Sequence, residues 1–272
     1  MDAPLQLRVQ RYGWDKAAEH YERFWARQLQ PAQDRLLARA ALQPGESVLD
    51  VACGTGLVTL RALQAVGATG RVVGTDLSST MVARSQTEAP AGAPIEYRQM
   101  NAEKLDLPEQ SFHVGLCSLG LMYVPDAPSA LAELYRVVRP GGRIVVAVWG
   151  ARRECGWAEI FPIVERRVAS DVCPLFFQLG GGSALADLMS TKGLQQVQWE
   201  HFSTLLHYAT AEDALGAAFA GGPVALAYSR FDDAMRESAH AEYLESIAKY
   251  RNGEEYNIPG AFVVASGTRP RN

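Results

Sequence analysis

Short runs of β-branched and aliphatic residues alternate with amphipathic stretches through the first half of the chain. The runs are Ser47–Val51, Arg71–Asp76, Ile95–Met100, Ser111–Ser118 and Arg143–Trp149. Apolar runs this short, bounded by acids, Gly or Pro, predict buried strands. Between them lie helical patterns. One covers Leu57–Val66 and stops at Gly67, a C-cap residue. A second starts at a cap supplied by Ser78 or Ser79. A third carries Leu131, Leu134, Tyr135 and Val138 at intervals of three, four and seven, which gives one buried stripe. Pro140-Gly141-Gly142 reads as the turn into the fifth strand. Five strand and helix units in alternation predict an α/β protein with a parallel sheet and right-handed crossovers.

The two ends of the chain read differently. Residues 12–42 place Tyr21, Phe24, Trp25, Leu36 and Leu37 at helical spacing, and Pro31 divides the pattern into two helices. Beyond Trp149 the pattern predicts helices near Trp157–Ala169 and Ser183–Thr191, a strand at 197–207, helices across 211–250 and a last strand at 261–266. If the last two strands pair antiparallel, both insertions start from the sheet edge where such folds bind ligands. With the N-terminal helices they converge there as a lid.

The chemistry concentrates at Ser47–Thr59, SVLDVACGTGLVT. Strand, small-residue turn and helix follow one another. Glycines sit where the backbone turns sharply, and the new helix starts with unpaired N–H groups. Alone, such a loop is often only a tight turn. A dinucleotide fingerprint would require glycine where Thr59 stands. Asp50, just before the loop, opposes a pyrophosphate but suits a cationic ligand such as an amino acid or a sulfonium. Asp76 ends the second strand, where its two oxygens match a pair of ribose hydroxyls. Asn101 and Ala102 follow the third strand and can read an adenine edge. Together these favour S-adenosylmethionine over NAD.

Composition narrows the partner. The chain has 272 residues, 48% of them hydrophobic, enough for one large core. A net charge of −4 without basic clusters gives no pull on nucleic acid. Cys53, Cys117, Cys155 and Cys173 have no metal-ligand spacing and read as reduced apolar residues. No metal is expected. There is no signal core and no run of about 18 apolar residues, so a cytoplasmic protein without a membrane partner is expected. A homodimer is compatible with the sequence. Gly180-Gly181-Gly182 lacks the Lys of a phosphate loop and reads as a linker before a helix capped by Ser183.

The stretches VLDVACGTG, VVGTDLS, NAEKLDLPEQSF and ELYRVVRPGGRIVVAVW resemble the class I S-adenosylmethionine-dependent methyltransferases. Within them, they resemble the ubiquinone/menaquinone-biosynthesis group, over about Tyr12–Trp149. The resemblance implies a doubly wound, Rossmann-like seven-stranded sheet with an antiparallel last strand and helical lid insertions. One domain would span 1–272, with its core near 40–149, 194–207 and 258–268, and its lid near 1–39, 150–193 and 208–257. By position, Asp50 and the loop Ala52, Gly54 and Gly56 would hold the methionine end. Asp76 and Leu77 would hold the ribose, Asn101 and Ala102 the adenine, and Ser118 would lie beside the sulfonium. S-adenosylhomocysteine would be the product. Relatives carry Asp at the positions of Asn101 and His113 and Gly at Ala52, where a positive φ would strain alanine.

The expected reaction is methyl transfer to O, N or C of an apolar or aromatic small molecule. Trp25, Met122, Tyr123, Trp149, Trp157 and Phe177 are candidate substrate contacts, although each is also a plausible packing residue. Tyr21 and His207 are candidate bases for an acceptor that must lose a proton. Two rivals remain: a cofactor-binding relative that catalyses a cyclisation or rearrangement, and an NAD-dependent oxidoreductase, which Thr59, Asp50 and the lack of a Tyr-x-x-x-Lys pair weaken.

Overall fold

The structure is a computed structural model that describes residues 3–168 and 176–271. Its strands are β1 (Ser47–Val51), β2 (Arg71–Asp76), β3 (Ile95–Gln99), β4 (Phe112–Ser118), β5 (Val138–Trp149), β6 (Gln195–Tyr208), the two-residue β7 (Arg251–Asn252) and β8 (Glu255–Thr268). They form one sheet in the order β3-β2-β1-β4-β5-β8-β6, with β7 paired to β8. The first five strands run parallel. β8 is antiparallel to both β5 and β6. The seven-stranded, doubly wound sheet and its antiparallel last strand are therefore present, and the hairpin ribbon β7 is an addition. Reversal of strand order between β1 and β4 opens a crevice at the C-terminal ends of the parallel strands. Register puts Asp50 beside Gly74 and Val51 beside Thr75, so Asp50 and Asp76 end neighbouring strands.

The crossover helices follow from their sequences. α2 (Leu57–Val66) buries Val58, Thr59, Ala62, Leu63 and Val66 on one face and ends at Gly67, φ 66°. α3 (Ser79–Glu88) is capped by Ser78, whose hydroxyl accepts from the Met81 N–H at 3.1 Å. α4 (Ala127–Val137) starts at Asp126, which accepts from the Ser129 N–H, and buries Leu131, Leu134 and Val137. Val48, Leu49, Val114, Leu116, Ile144, Val145 and Val146 are fully buried between the helical layers. His113 also acquires a reason: its Nδ1 accepts the Ser47 N–H at 3.0 Å and fastens the start of β1.

Four expectations are corrected. Pro31 does not divide the N-terminal segment, because a single helix, α1 (Ala3–Ala40), runs through it. Tertiary packing along α1, which touches β4, β5, β8, α2 and α3, overrides the local cost of proline. β5 already starts at Val138, paired with Phe112, and the Pro-Gly-Gly segment is an irregularity inside the pairing rather than its boundary. The helix near 157–169 is only α5 (Ile160–Glu165), and Ala169, like Cys173, lies outside the described residues. Ser183 precedes α6 (Ala184–Thr191), but its hydroxyl bonds the Asp187 carboxylate and does not cap the backbone. The stretch 211–250 contains α7 (Ala211–Leu215), a π turn at Gly216–Ala220, α8 (Ala225–Tyr228) and α9 (Asp233–Ile247). Cys53, Cys117 and Cys155 are buried free thiols.

Candidate active site

The loop after β1 is held from beneath. Ala52, Gly54 and Gly56 all have positive φ, at 56°, 56° and 92°. Ala52 thus adopts the backbone that favours glycine. Its methyl is accommodated because Gly120 faces it: a Cβ on Gly120 would lie 2.3 Å from the Ala52 Cβ. A Cβ on Gly56 would likewise meet the Tyr97 hydroxyl at 2.7 Å. Asp76 fixes the loop through both oxygens, Oδ2 accepting the Gly54 N–H and Oδ1 the Ser78 N–H, each at 2.9 Å. A carboxylate has about four acceptor positions, so each oxygen keeps one for a ligand. Leu119, which follows Ser118, is also left-handed at φ 59°. Ala52 and Leu119 are two of five non-glycine residues with positive φ among the described residues, and both border the crevice.

Both acids are buried. Asp50 is fully enclosed; its Oδ2 accepts the Thr59 hydroxyl at 2.6 Å, and its Oδ1 has no hydrogen-bond partner among the described residues. Thr59 therefore takes up the third position of the glycine pattern as the holder of Asp50. Burial pushes the Asp50 carboxyl up to about 7, against the Thr59 hydrogen bond, with the Asp76 charge adding to the rise. Burial likewise pushes Asp76 up to about 6, opposed by the Ser78 and Gly54 N–H groups. Two buried acids with spare acceptor positions suit a ligand that brings hydroxyls and a cation.

Three chambers meet here. The largest, about 710 Å³ including its mouth, has walls from Asp76, Leu77, Asn101, Ala102, Ser118 and Gly120, closed by Leu7, Gln10 and Trp14 of α1. A second, about 320 Å³, lies over the loop between Asp50, Ala52, Gly54, Leu57, Ser118 and Gln33. The third, about 340 Å³, is walled by Trp14, Trp25, Tyr123, Trp149 and Trp157 with Gly221, Gly222 and Pro223. Tyr21 and Leu119 belong to all three. The aromatic walls interlock edge to face: Trp25 with Trp149 at 5.8 Å, and Trp149 with Trp157 at 4.9 Å.

Of the residues singled out from sequence, Asp50, Ala52, Gly54, Asp76, Leu77, Asn101, Ala102 and Ser118 line the first two chambers. Trp25, Tyr123, Trp149 and Trp157 line the third, and Tyr21 joins them. The rest lie elsewhere. Gly56 is the N-cap of α2. Met122 is buried, its sulfur accepting the Trp149 N–H. Phe177 packs on Trp157, Phe161 and Phe176 behind the wall. His207 lies at the end of β6, bonded to Asn257, with its backbone clasped by Gln28. The Asn101 Oδ1 accepts the Glu103 N–H, so the side chain shapes its own loop. Leu7, Gln10, Gln33 and Gly120 were missed. Buried glutamines on an otherwise polar helix were the available signal: Gln6, Gln10, Gln28 and Gln33 are each under 8% exposed.

Residues 49–146 match a family described as a methyltransferase domain. The ubiquinone/menaquinone biosynthesis C-methyltransferase UbiE of Pseudoalteromonas translucida is 37% identical over 127 residues, 46% of this chain and 48% of that protein. A Haemonchus contortus phosphoethanolamine N-methyltransferase, solved with S-adenosylhomocysteine, superposes with a TM-score of 0.61 at 15% identity, over 94% of this chain and 57% of that one. The [4+2]-cyclase SpnF superposes with a TM-score of 0.57 at 19% identity, over 89% and 82%. The chain spans less than half the length of the curated relatives it matches first. The sheet order is that of the methyltransferase structures on which the chain superposes, and the glycine loop and the two strand-end acids lie within the matched residues. The chain is similar, over residues 49–146, to that methyltransferase domain, and in part of its length to methyltransferases of the UbiE group. Among the described residues no helix is long and apolar enough to cross a membrane.

Proposed function

We propose that this chain transfers the methyl group of S-adenosylmethionine to an O, N or C atom of an apolar or aromatic small molecule. The observation that carries the reading is the shared wall of Tyr21 and Leu119. It joins two chambers that contain buried acids to one lined by aromatic rings and glycines without a charged side chain. The bound cofactor would supply a methyl carbon already activated by its sulfonium. The chain's part is then alignment and exclusion of water. Asp76 would accept both ribose hydroxyls, the Asn101–Ala102 turn would meet the adenine, and Asp50 would hold the methionyl ammonium. Ser118, whose buried hydroxyl has no partner among the described residues, would stand beside the sulfur.

Burial and the neighbouring acids Asp76, Glu22 and Asp50 push the Tyr21 hydroxyl well above its ordinary value. It is protonated at neutral pH and serves as a hydrogen-bond donor between the chambers rather than as a base. Among the described residues no His, Asp or Glu lines the aromatic chamber. An acceptor that is nucleophilic without an enzymic base, such as an ionised phenol or enol, suits it.

Calorimetric titration with S-adenosylmethionine, S-adenosylhomocysteine and NAD, followed by mass analysis of a panel of phenols, naphthols and amines, tests the reading. Binding of both sulfur nucleosides and a product heavier by one methyl group are expected. NAD binding alone would overturn it. Conversion of an acceptor without mass gain would instead support the cyclisation reading.

A further inference from the structure

We infer that the methionyl carboxylate of the cofactor is read by the side-chain amide of Gln33 together with the uncapped first turn of α2, and not by a basic side chain; this rests on the cofactor reading above. The second chamber must receive an amino acid zwitterion. Asp50, with its unpartnered Oδ1, accounts for the ammonium. The carboxylate then needs donors, yet among the described residues no Lys, Arg or His lines that chamber.

Two kinds of donor are present. α2 is 10 residues long, its N-cap is Gly56, no side chain among the described residues caps its first turn, and Leu57 and Val58 of that turn line the chamber. An uncapped first turn attracts an anion through unpaired N–H groups and the helix dipole. Gln33 supplies the independent observation. It is only 6% exposed, it lines the chamber, and no hydrogen bond engages its amide among the described residues. Gln28, one helical turn plus one residue earlier, shows the contrast, because its amide is consumed by the His207 backbone. An amide that opens only into an enclosed chamber is free to complete its hydrogen bonds with a ligand there. Its NH₂ can donate to a carboxylate, and its neutrality leaves the Asp50 charge for the ammonium.

The test is a binding measurement on the full chain. Dissociation constants are taken for wild type, Gln33→Leu and Gln33→Glu with three nucleosides. S-adenosylhomocysteine carries carboxylate and amine, its decarboxylated analogue keeps only the amine, and 5′-methylthioadenosine lacks both. The expected result is about tenfold weaker binding of S-adenosylhomocysteine by Gln33→Leu, and a larger loss for Gln33→Glu, which sets a charge against the carboxylate. Both variants should bind the other two nucleosides within about twofold of wild type. Their retained binding of 5′-methylthioadenosine also reports that the variants fold. Equal losses for all three ligands, or no loss for any, would overturn the role of Gln33. Failure of the wild type to bind any of the three would instead overturn the cofactor reading.

Discussion

Ala52 and Gly120 share the volume of one methyl group, and that makes them a pair for substitution. Gly120→Ala would drive a second Cβ to 2.3 Å from the first and should destabilise the fold by roughly 1–3 kcal/mol, read as a fall in denaturation midpoint. Adding Ala52→Gly should restore part of that loss, and a double variant no better than the single one would show that the two positions are not coupled. Asp50 has a pH signature. Its carboxyl is raised from the ordinary carboxylate range to about 7, so the folded protein holds a proton that the unfolded chain has released. The resulting penalty is absent at acid pH, grows as pH rises, and is complete above about 7. Asp50→Asn should therefore gain more stability relative to wild type at pH 8 than at pH 5, and none below about pH 3, compared without ligand by thermal denaturation. Cofactor affinity in wild type should move the opposite way, falling below pH 7, because the ammonium requires the ionised acid. The site residues on the strand ends were legible because strand periodicity fixes where Asp50 and Asp76 emerge. Gln33 and Gly120 were not, since their roles come from what faces them across the crevice.

Among the elements, α1 departs furthest from its sequence signals. It carries Pro31 in its interior, and isolated propensity would stop it there. Pro31→Ala should add a backbone donor and stabilise the protein by about 1–3 kcal/mol, observed as a higher midpoint in denaturant. The N-terminal half of α1 is tied down by Asp15, whose Oδ1 accepts the Ser78 hydroxyl at 2.6 Å and the Thr80 N–H at 3.2 Å. Asp15→Ala should cost about 1 kcal/mol and raise amide hydrogen exchange across the N-terminal half of α1 more than in β1. The strands and crossover helices were readable because each buries one regular face. The lid elements were not, because their aromatic residues pack on one another, as Trp157, Phe161 and Phe176 do, without a fixed period.

At the scale of the molecule, a ligand that bridges strand ends, loop and α1 should stabilise all of them together. At about a hundred times its dissociation constant, S-adenosylhomocysteine should add about 2.7 kcal/mol, seen as a concentration-dependent rise in Tm. The parallel half of the sheet followed from the alternation of elements and its doubly wound seven-stranded form from the family resemblance, whereas the roofing of the crevice by one unbroken helix followed from neither. That roof has a further consequence. α1 is 38 residues long, about 57 Å at the helical rise, and Tyr21 on it borders every chamber. On the proposed reading, nucleoside and acceptor would then lie against the same helix. By reciprocity, if the cofactor tightens the acceptor site by some factor, the acceptor tightens the cofactor site by that factor. The two ligands would share one coupling free energy, whichever of them arrives first.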